Sequence, residues 1–313
     1  MSPAERLPWI TQDPASLHLM ELAQKVAAAP TTLLITGESG SGKDHLARYI
    51  HEIGPRRDAP FLKIDCASLP PDLVESELFG HERGAFTGAV DRKLGRLELG
   101  AAGTIVLDEV AALSPNAQAK LLRVLQERAF ERLGGTETLR IEARIVALTN
   151  TDLPGAVSAG QFREDLYFRL NVLPLTVPPL RERRGDILPL ADNFVEVLSS
   201  VHSRPNTTLS QAARRMLSAY SWPGNVRELR NALERAVVFC RGQELAPEDF
   251  PEAIRAAAGG TALLSGLRSL EEIEREVITQ TLEATRYHIS QAAGILGISR
   301  KTLLEKRKKY GLQ

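Results

Sequence analysis

The chain has 313 residues, enough for two or three compact domains. Hydrophobic residues make up 43% and charged residues 25%, the composition of an ordinary soluble globular protein, and no apolar run approaches the length of a membrane span. With 39 basic and 39 acidic side chains the net charge is zero, so global charge argues neither for nor against a nucleic-acid partner. Cys66 and Cys240 cannot make a disulfide scaffold and fit a reducing cytoplasm, and neither they nor the six histidines show metal-ligand spacing. No signal peptide opens the chain, because Met1 to Pro14 lacks an apolar core.

From about Trp9 to Pro178, short apolar runs alternate with amphipathic stretches. Residues 32–36, 61–65, 104–108 and 143–148 read as buried strands and 117–128 as a helix, which predicts a parallel sheet in an α/β fold. The first strand runs into Gly37-Glu38-Ser39-Gly40-Ser41-Gly42-Lys43, a match to the phosphate-binding loop G-x-x-x-x-G-K between a strand and a helix. Glycines let backbone N–H groups approach phosphates, the helix N-terminus adds partial positive charge, and Lys43 is placed to reach the β- and γ-phosphates of ATP. Asp44 stands where Ser or Thr usually offers a hydroxyl to Mg²⁺. A carboxylate there either binds the ion, directly or through water, or repels the phosphates.

Glycines bracket the next unusual segment, Gly84-Ala85-Phe86-Thr87-Gly88-Ala89. It reads as a hairpin tip with Phe86 tucked down, or as a moving contact loop that presents an aromatic ring and a hydroxyl. The strand 104–108 ends in Asp108 and Glu109, placed respectively to hold Mg²⁺ and to orient or deprotonate an attacking water. Asn150 ends the following strand, where it senses the γ-phosphate or simply makes a turn. The charge-dense stretch 162–170 carries Arg163 and Arg169, either a solvated face or arginines supplied to a neighbour's phosphates.

Strand signals fade over Arg181 to Glu252, where apolar residues recur at helical spacing, broken at Trp222-Pro-Gly-Asn225. Arg227, just beyond that break, is a candidate cis arginine coupling a helical lid to the nucleotide. Residues 255–266 are rich in Ala and Gly and read as a linker. The resulting division is 1–180, 181–254, 255–266 and 267–313. The last part is locally basic, with seven Lys or Arg from Arg286 onward against Glu305 alone. His288 to Leu304 reads as helix, turn at Gly297 and helix, with Ser290 and Ser299 as N-caps and Ala293, Leu296, Ile298 and Leu303 packed between them. The second helix then carries Arg300, Lys301, Thr302, Glu305 and Lys306 outward to suit a DNA major groove, with Lys308 and Lys309 near phosphates.

The hexapeptide GAFTGA at 84–89 resembles the signature loop of sigma-54-dependent transcriptional activators, the NtrC-like bacterial enhancer-binding proteins. The phosphate loop, Glu-Leu-Phe-Gly-His from Glu77, the 162–170 stretch and Trp-Pro-Gly-Asn-Val-Arg-Glu-Leu from Trp222 are similar to that family's blocks, so the likeness covers nearly the whole chain. The resemblance implies an AAA+ ATPase that assembles as a homo-oligomeric ring, usually a hexamer, with ATP between subunits. Hydrolysis then moves the GAFTGA loop, which engages sigma-54 in the closed complex of RNA polymerase holoenzyme and drives it open. By this likeness Phe86 and Thr87 contact sigma-54, Asp108 and Glu109 are the Walker B pair, and Asn150 falls in sensor I. Arg163 and Arg169 match the trans arginines, Arg227 matches sensor II, and Arg132 to Gly135 lies near a second loop that moves with the first. The family commonly has Glu after the loop lysine, so Asp44 keeps the acid one methylene shorter.

Asp65 departs from the pattern, standing where the family usually has an Asn that holds the Walker B glutamate. An Asp beside Glu109 would repel it or share a proton with it, and would alter basal activity or its regulation. The C-terminal unit resembles the family's Fis-type helix-turn-helix, which implies double-stranded DNA upstream of promoters as a partner and a dimeric unit formed through 267–282. Arg307 replaces a generally apolar residue there, which loosens packing or adds a phosphate contact. The ATPase pattern begins by about Trp9, leaving no room for a receiver domain, so control by a trans-acting regulator is expected, a shortened chain being the alternative. The competing readings are a DNA-binding regulator with an impaired ATPase, and an AAA+ remodeller of another target.

Overall fold

Five segments pair in parallel: β1 (Leu33–Thr36), β2 (Phe61–Asp65), β3 (Thr104–Asp108), β4 (Arg144–Thr149) and β5 (Leu173–Thr176). The computed structural model describes residues 9–100, 102–256, 270–285 and 287–311, which divide into one unit ending at Arg255 and another beginning at Ala256. Strand order across the sheet is β2-β3-β4-β1-β5. β4 is buried along its whole length, as a central strand covered on both faces requires. β5 was absent from the sequence expectation because Pro174 interrupts its apolar run. It is an edge strand, paired only with β1, where a missing N–H does no harm.

Side chains alternate between two cores. Leu33, Ile35, Val106, Val146 and Leu148 pack with α1 (Pro14–Ala27) and α2 (Lys43–Glu52). Leu34, Ile105, Leu107, Ile145 and Ala147 face the other way, toward α3 (Pro71–Phe79), α4 (Arg96–Leu99), α5 (Pro115–Glu127), α6 (Leu153–Ser158) and α7 (Glu164–Leu170). Cys66, just past β2, lies in this second core, and burial pushes its thiol pKa up to about 12. The chain leaves β1 for the far edge at β2, so the carboxyl ends of β1 and β4 frame the crevice where such sheets bind ligands.

The helical part of this unit comprises α8 (Ile187–Val201), α9 (Gln211–Ala219) and α10 (Asn225–Phe239). It also holds a short parallel pairing of 208–209 with 244–245, which the helical reading of this region lacked. Buried Asp186 fastens its start to the start of α1. The carboxylate accepts from the Thr11 hydroxyl (2.7 Å), the Gln12 and Asp13 N–H groups (2.8 and 3.0 Å) and the Ser16 hydroxyl (2.5 Å).

The second unit holds α11 (Leu270–Ala284), α12 (Ile289–Ile295) and α13 (Arg300–Tyr310) around Ile278, Leu282, Ala292, Ala293 and Leu303. Residues 257–266 of the expected linker, and 267–269 of the expected dimerising segment, lie outside the described residues.

Trp222 anchors the turn before α10. It is fully buried with φ of 51°, donates its indole N–H to the Leu217 carbonyl at 2.9 Å and meets Tyr220 edge-on. Trp222→Ala is expected to cost about 3–5 kcal/mol, the usual range for a buried large aromatic. Urea denaturation of the full chain checks this, and a loss below about 1 kcal/mol would show that the turn stands without the ring.

Candidate functional site

The phosphate loop is tied back to β5 and forward to α10. Gly37 and Gly40 have φ of 149° and 74°, and a Cβ on either would stand 2.7 Å from the Val177 carbonyl or 2.5 Å from the Gly224 carbonyl. Lys43 opens α2 and donates to the Gly37 and Glu38 carbonyls at 2.8 and 3.2 Å, with Nζ 4.0 Å from Glu109. Burial lowers its pKa, opposed by the charges of Glu109, Asp108 and Asp44. Glu109 sits in the left-handed region at φ 52°, an uncommon conformation for a non-glycine residue of the kind that gathers at functional sites. Its carboxylate accepts from the Asn150 backbone N–H at 3.1 Å, which joins the ends of β3 and β4.

Asp44 and Asp108, the two expected ion ligands, converge on a residue that sequence reasoning missed. Lys63 Nζ lies 2.6 Å from Asp44 and 2.7 Å from Asp108. The signal for it was a lysine in the middle of the β2 run. Among the described residues no group of three or more His, Cys, Asp or Glu side chains forms a metal site. Two carboxylates that meet at one point do fit Mg²⁺, which keeps waters and takes substrate phosphate oxygens for the rest of its shell.

Asp65 is not positioned as expected. Its carboxylate is exposed and accepts from the Ala67 and Ser68 N–H groups at 2.9 and 3.1 Å, closing its own turn rather than meeting Glu109. Four neighbours join the loop to the helical part. Arg181 grips Glu38 with two hydrogen bonds of 2.8 and 2.6 Å, and Asn225 donates to the same carboxylate at 3.0 Å and to the Ser39 carbonyl at 3.1 Å. Arg227 donates to the Ser39 hydroxyl at 2.8 Å, and Arg183 donates to the Ser41 carbonyl. A cleft of about 560 Å³ opens here, lined by Trp9, Ile10, the loop, Asp108, Glu109 and Arg227, within the usual size range of small-molecule sites. Arg163 and Arg169 are exposed and do not line this cleft, and Arg163 pairs with Asp165 at 2.8 Å.

The GAFTGA loop is closed at its base, where the Gly84 N–H donates to the Ala89 carbonyl at 2.8 Å. Thr87 is exposed, while the Phe86 ring, 41% exposed, leans edge-on against His81 at 5.0 Å. The second loop abuts the first, since the Leu133 N–H donates to the Gly80 carbonyl and Gly134 leaves no room for a Cβ beside Ala85. Buried Arg132 joins their bases, with paired bonds to Glu98 (2.9 and 2.7 Å) and single bonds to Glu82 (2.9 Å) and Glu137 (2.8 Å).

In the second unit Ser299 caps α13, accepting from the Thr302 N–H at 3.1 Å. Ser290 does not cap α12. Tyr287 is left-handed at φ 61°, the helix starts at Ile289 with His288 as its cap, and Ser290 falls inside the first turn. Arg300, Lys301 and Glu305 are exposed as expected, and Thr302 is half-buried. Lys306 turns inward to pair with Glu274 on α11, and Lys309 pairs with Glu271, because both lie toward the α11 side of α13.

A family model described as Sigma-54 interaction domain matches residues 9–176, one for the AAA+ ATPase lid domain matches 181–264, and one for Bacterial regulatory protein, Fis family, matches 269–310. The chain is 44% identical to the regulatory protein AtoC of Escherichia coli over 97% of its own length and 68% of that protein's. It is also 44% identical to the transcriptional regulatory protein FlbD of Caulobacter vibrioides, over 97% and 70%. Among solved structures it is similar to NtrX from Brucella abortus in complex with ATP, with a TM-score of 0.76 and 33% identity over 99% of this chain and 71% of that one.

Hydrogen bonds from Arg181 and Asn225 hold the Glu38 carboxyl pKa down at about 2. Because the folded value lies below the unfolded one, this contact contributes stability fully above about pH 4.5 and loses it as the pH falls toward 2. The melting-temperature gap between the native chain and Glu38→Gln is therefore expected to be constant above pH 5 and to narrow steadily below 4.5. A gap independent of pH from 6 to 3 would refute the carboxylate's role as a lid anchor.

Proposed function

This chain belongs to the NtrC-like family of sigma-54-dependent transcriptional activators with a Fis-type DNA-binding end, and from that premise we propose that it is a cytoplasmic ATPase that opens promoters. In this reading it binds double-stranded DNA upstream of promoters and spends ATP hydrolysis on converting closed complexes of the sigma-54 holoenzyme into open ones. The observation that carries the reading is the meeting of Lys43 from α2 with Glu109 from the end of β3, in a unit that also presents the GAFTGA loop. ATP-bound and ADP-bound structures of the NtrX relative support nucleotide binding here.

The loop from Gly37 to Asp44 and the Arg227 side chain bind the phosphates, Lys43 giving up its carbonyl partners to them. Asp44 and Asp108 would hold Mg²⁺, which when bound neutralises charge developing on the phosphates. Glu109 orients and deprotonates the attacking water, and its bond to Asn150 passes the state of that site to β4. Arg163 and Arg169, outside their own chain's cleft, serve the neighbouring subunit's nucleotide in a hexameric ring. Residues 1–180 and 181–254 make the motor, and 267–313, as a dimeric unit joined by the 255–266 linker, make the DNA-binding end. There Ser299, Arg300, Lys301, Thr302 and Glu305 approach the groove, while Lys306 first has to leave Glu274.

Purified protein is expected to show Mg²⁺-dependent ATPase activity, and its absence at every protein concentration defeats the proposal. Glu109→Gln should keep ATP binding and lower turnover by about a hundredfold or more. Thr87→Ala should leave hydrolysis within about twofold and abolish open-complex formation on a sigma-54 promoter. Arg300→Ala and Lys301→Ala should each weaken DNA binding by roughly tenfold, read by gel shift at fixed salt, with ATPase unchanged.

A further inference from the structure

We propose that Lys63 is a built-in counter-cation for the divalent-ion site. It holds the two ion-binding carboxylates in register before the ion arrives, and it sets how strongly nucleotide affinity depends on Mg²⁺. The proposal rests on the nucleotide-binding reading above.

Three elements bring the group together: Lys63 from the middle of β2, Asp44 from the first turn of α2 and Asp108 from the end of β3. The ammonium lies 2.6 Å from one carboxylate oxygen and 2.7 Å from the other, so those two oxygens are at most about 5.3 Å apart. Asp108 is 15% exposed, Asp44 51% and Lys63 38%, so water screens the group only in part. Two like charges at that separation repel strongly unless a cation stands between them. Glu109 follows Asp108 directly in the chain, and Lys43 is its nearest cation at 4.0 Å. The Lys63 ammonium donates to both carboxylates and so stands as the cation between them.

The position between the carboxylates admits one cation. A Mg²⁺ ion bound by both has to displace the ammonium, so part of the ion's binding free energy goes into breaking two short ion pairs. Without Mg²⁺ the ammonium stays, and its charge offsets the carboxylates that would otherwise repel a nucleotide's phosphates. Lys63 thereby supports metal-free ATP binding and blunts the gain that Mg²⁺ confers. It is a positioning residue: it acts through Asp44 and Asp108.

The test measures ATP affinity of the full chain by calorimetry, with saturating Mg²⁺ and with EDTA, for the native protein, Lys63→Met and Lys63→Arg. Methionine keeps most of the stem without the charge, and arginine keeps the charge. In Lys63→Met the ratio of the EDTA Kd to the Mg²⁺ Kd is expected to rise by roughly tenfold, chiefly through weaker metal-free binding, the worth of one partly screened charge contact. In Lys63→Arg the ratio should stay within about threefold of native. An unchanged ratio in Lys63→Met overturns the proposal. So does an equal loss of binding in both buffers, which would make Lys63 only a strut. If the native chain binds no ATP even with Mg²⁺, the nucleotide-binding reading itself fails.

Discussion

The contact on which the first unit depends is one of backbone against backbone. The Val226 N–H donates to the Gly40 carbonyl at 3.0 Å, and Gly40 lies so close to the Gly224 carbonyl that no side chain fits between them. Main-chain contacts cannot relax by changing rotamer, so the phosphate loop and the turn that opens α10 move as one body or separate altogether. Asn225 reinforces the junction from both sides: its side-chain Oδ1 accepts from the Leu180 N–H at 2.7 Å while its Nδ2 donates to Glu38 and the Ser39 carbonyl. The orientation of the helical part is thus tied to the conformation of the phosphate-loop backbone.

Most of the fold was legible because buried parallel strands announce themselves as short apolar runs. Four of the five strands fall within a residue of their expected limits. The fifth hid behind Pro174, since an edge position relaxes the rule that otherwise excludes proline. In the site, fixed spacing exposed the loop and Asp108–Glu109, where function demands particular residues at particular intervals. Spacing says nothing about partners brought together from separate elements, and Lys63, Arg181 and Asp186 were missed for that reason. The Asp65 expectation failed differently: a short acid two and three residues ahead of free N–H groups finds a closer partner in its own turn than across the sheet. Lys306 was legible in hindsight, because it lies three residues after buried Leu303 and four before Tyr310, which meets the same Glu274.

Zero net charge conceals strong local order. Arg132 is buried among Glu82, Glu98 and Glu137, and the paired bonds to Glu98 with those to the other two carboxylates keep its pKa above the ordinary value. A lysine could not reproduce this, because the fork of the guanidinium bonds three carboxylates at once. The bases of the GAFTGA loop and of its neighbour therefore share a rigid charged joint, while the tip carrying Thr87 stays exposed.

Cys66 is sealed in the core with its thiol pKa pushed up to about 12, and Cys240 is buried with its S–H directed at the Gly242 and Glu244 carbonyls. Both are buried and Cys66 presents no thiolate near neutral pH, so both are slow targets for alkylation or oxidation while the chain is folded. A single cysteine placed on an exposed loop would therefore label well ahead of the two buried native thiols, which become accessible when the core opens.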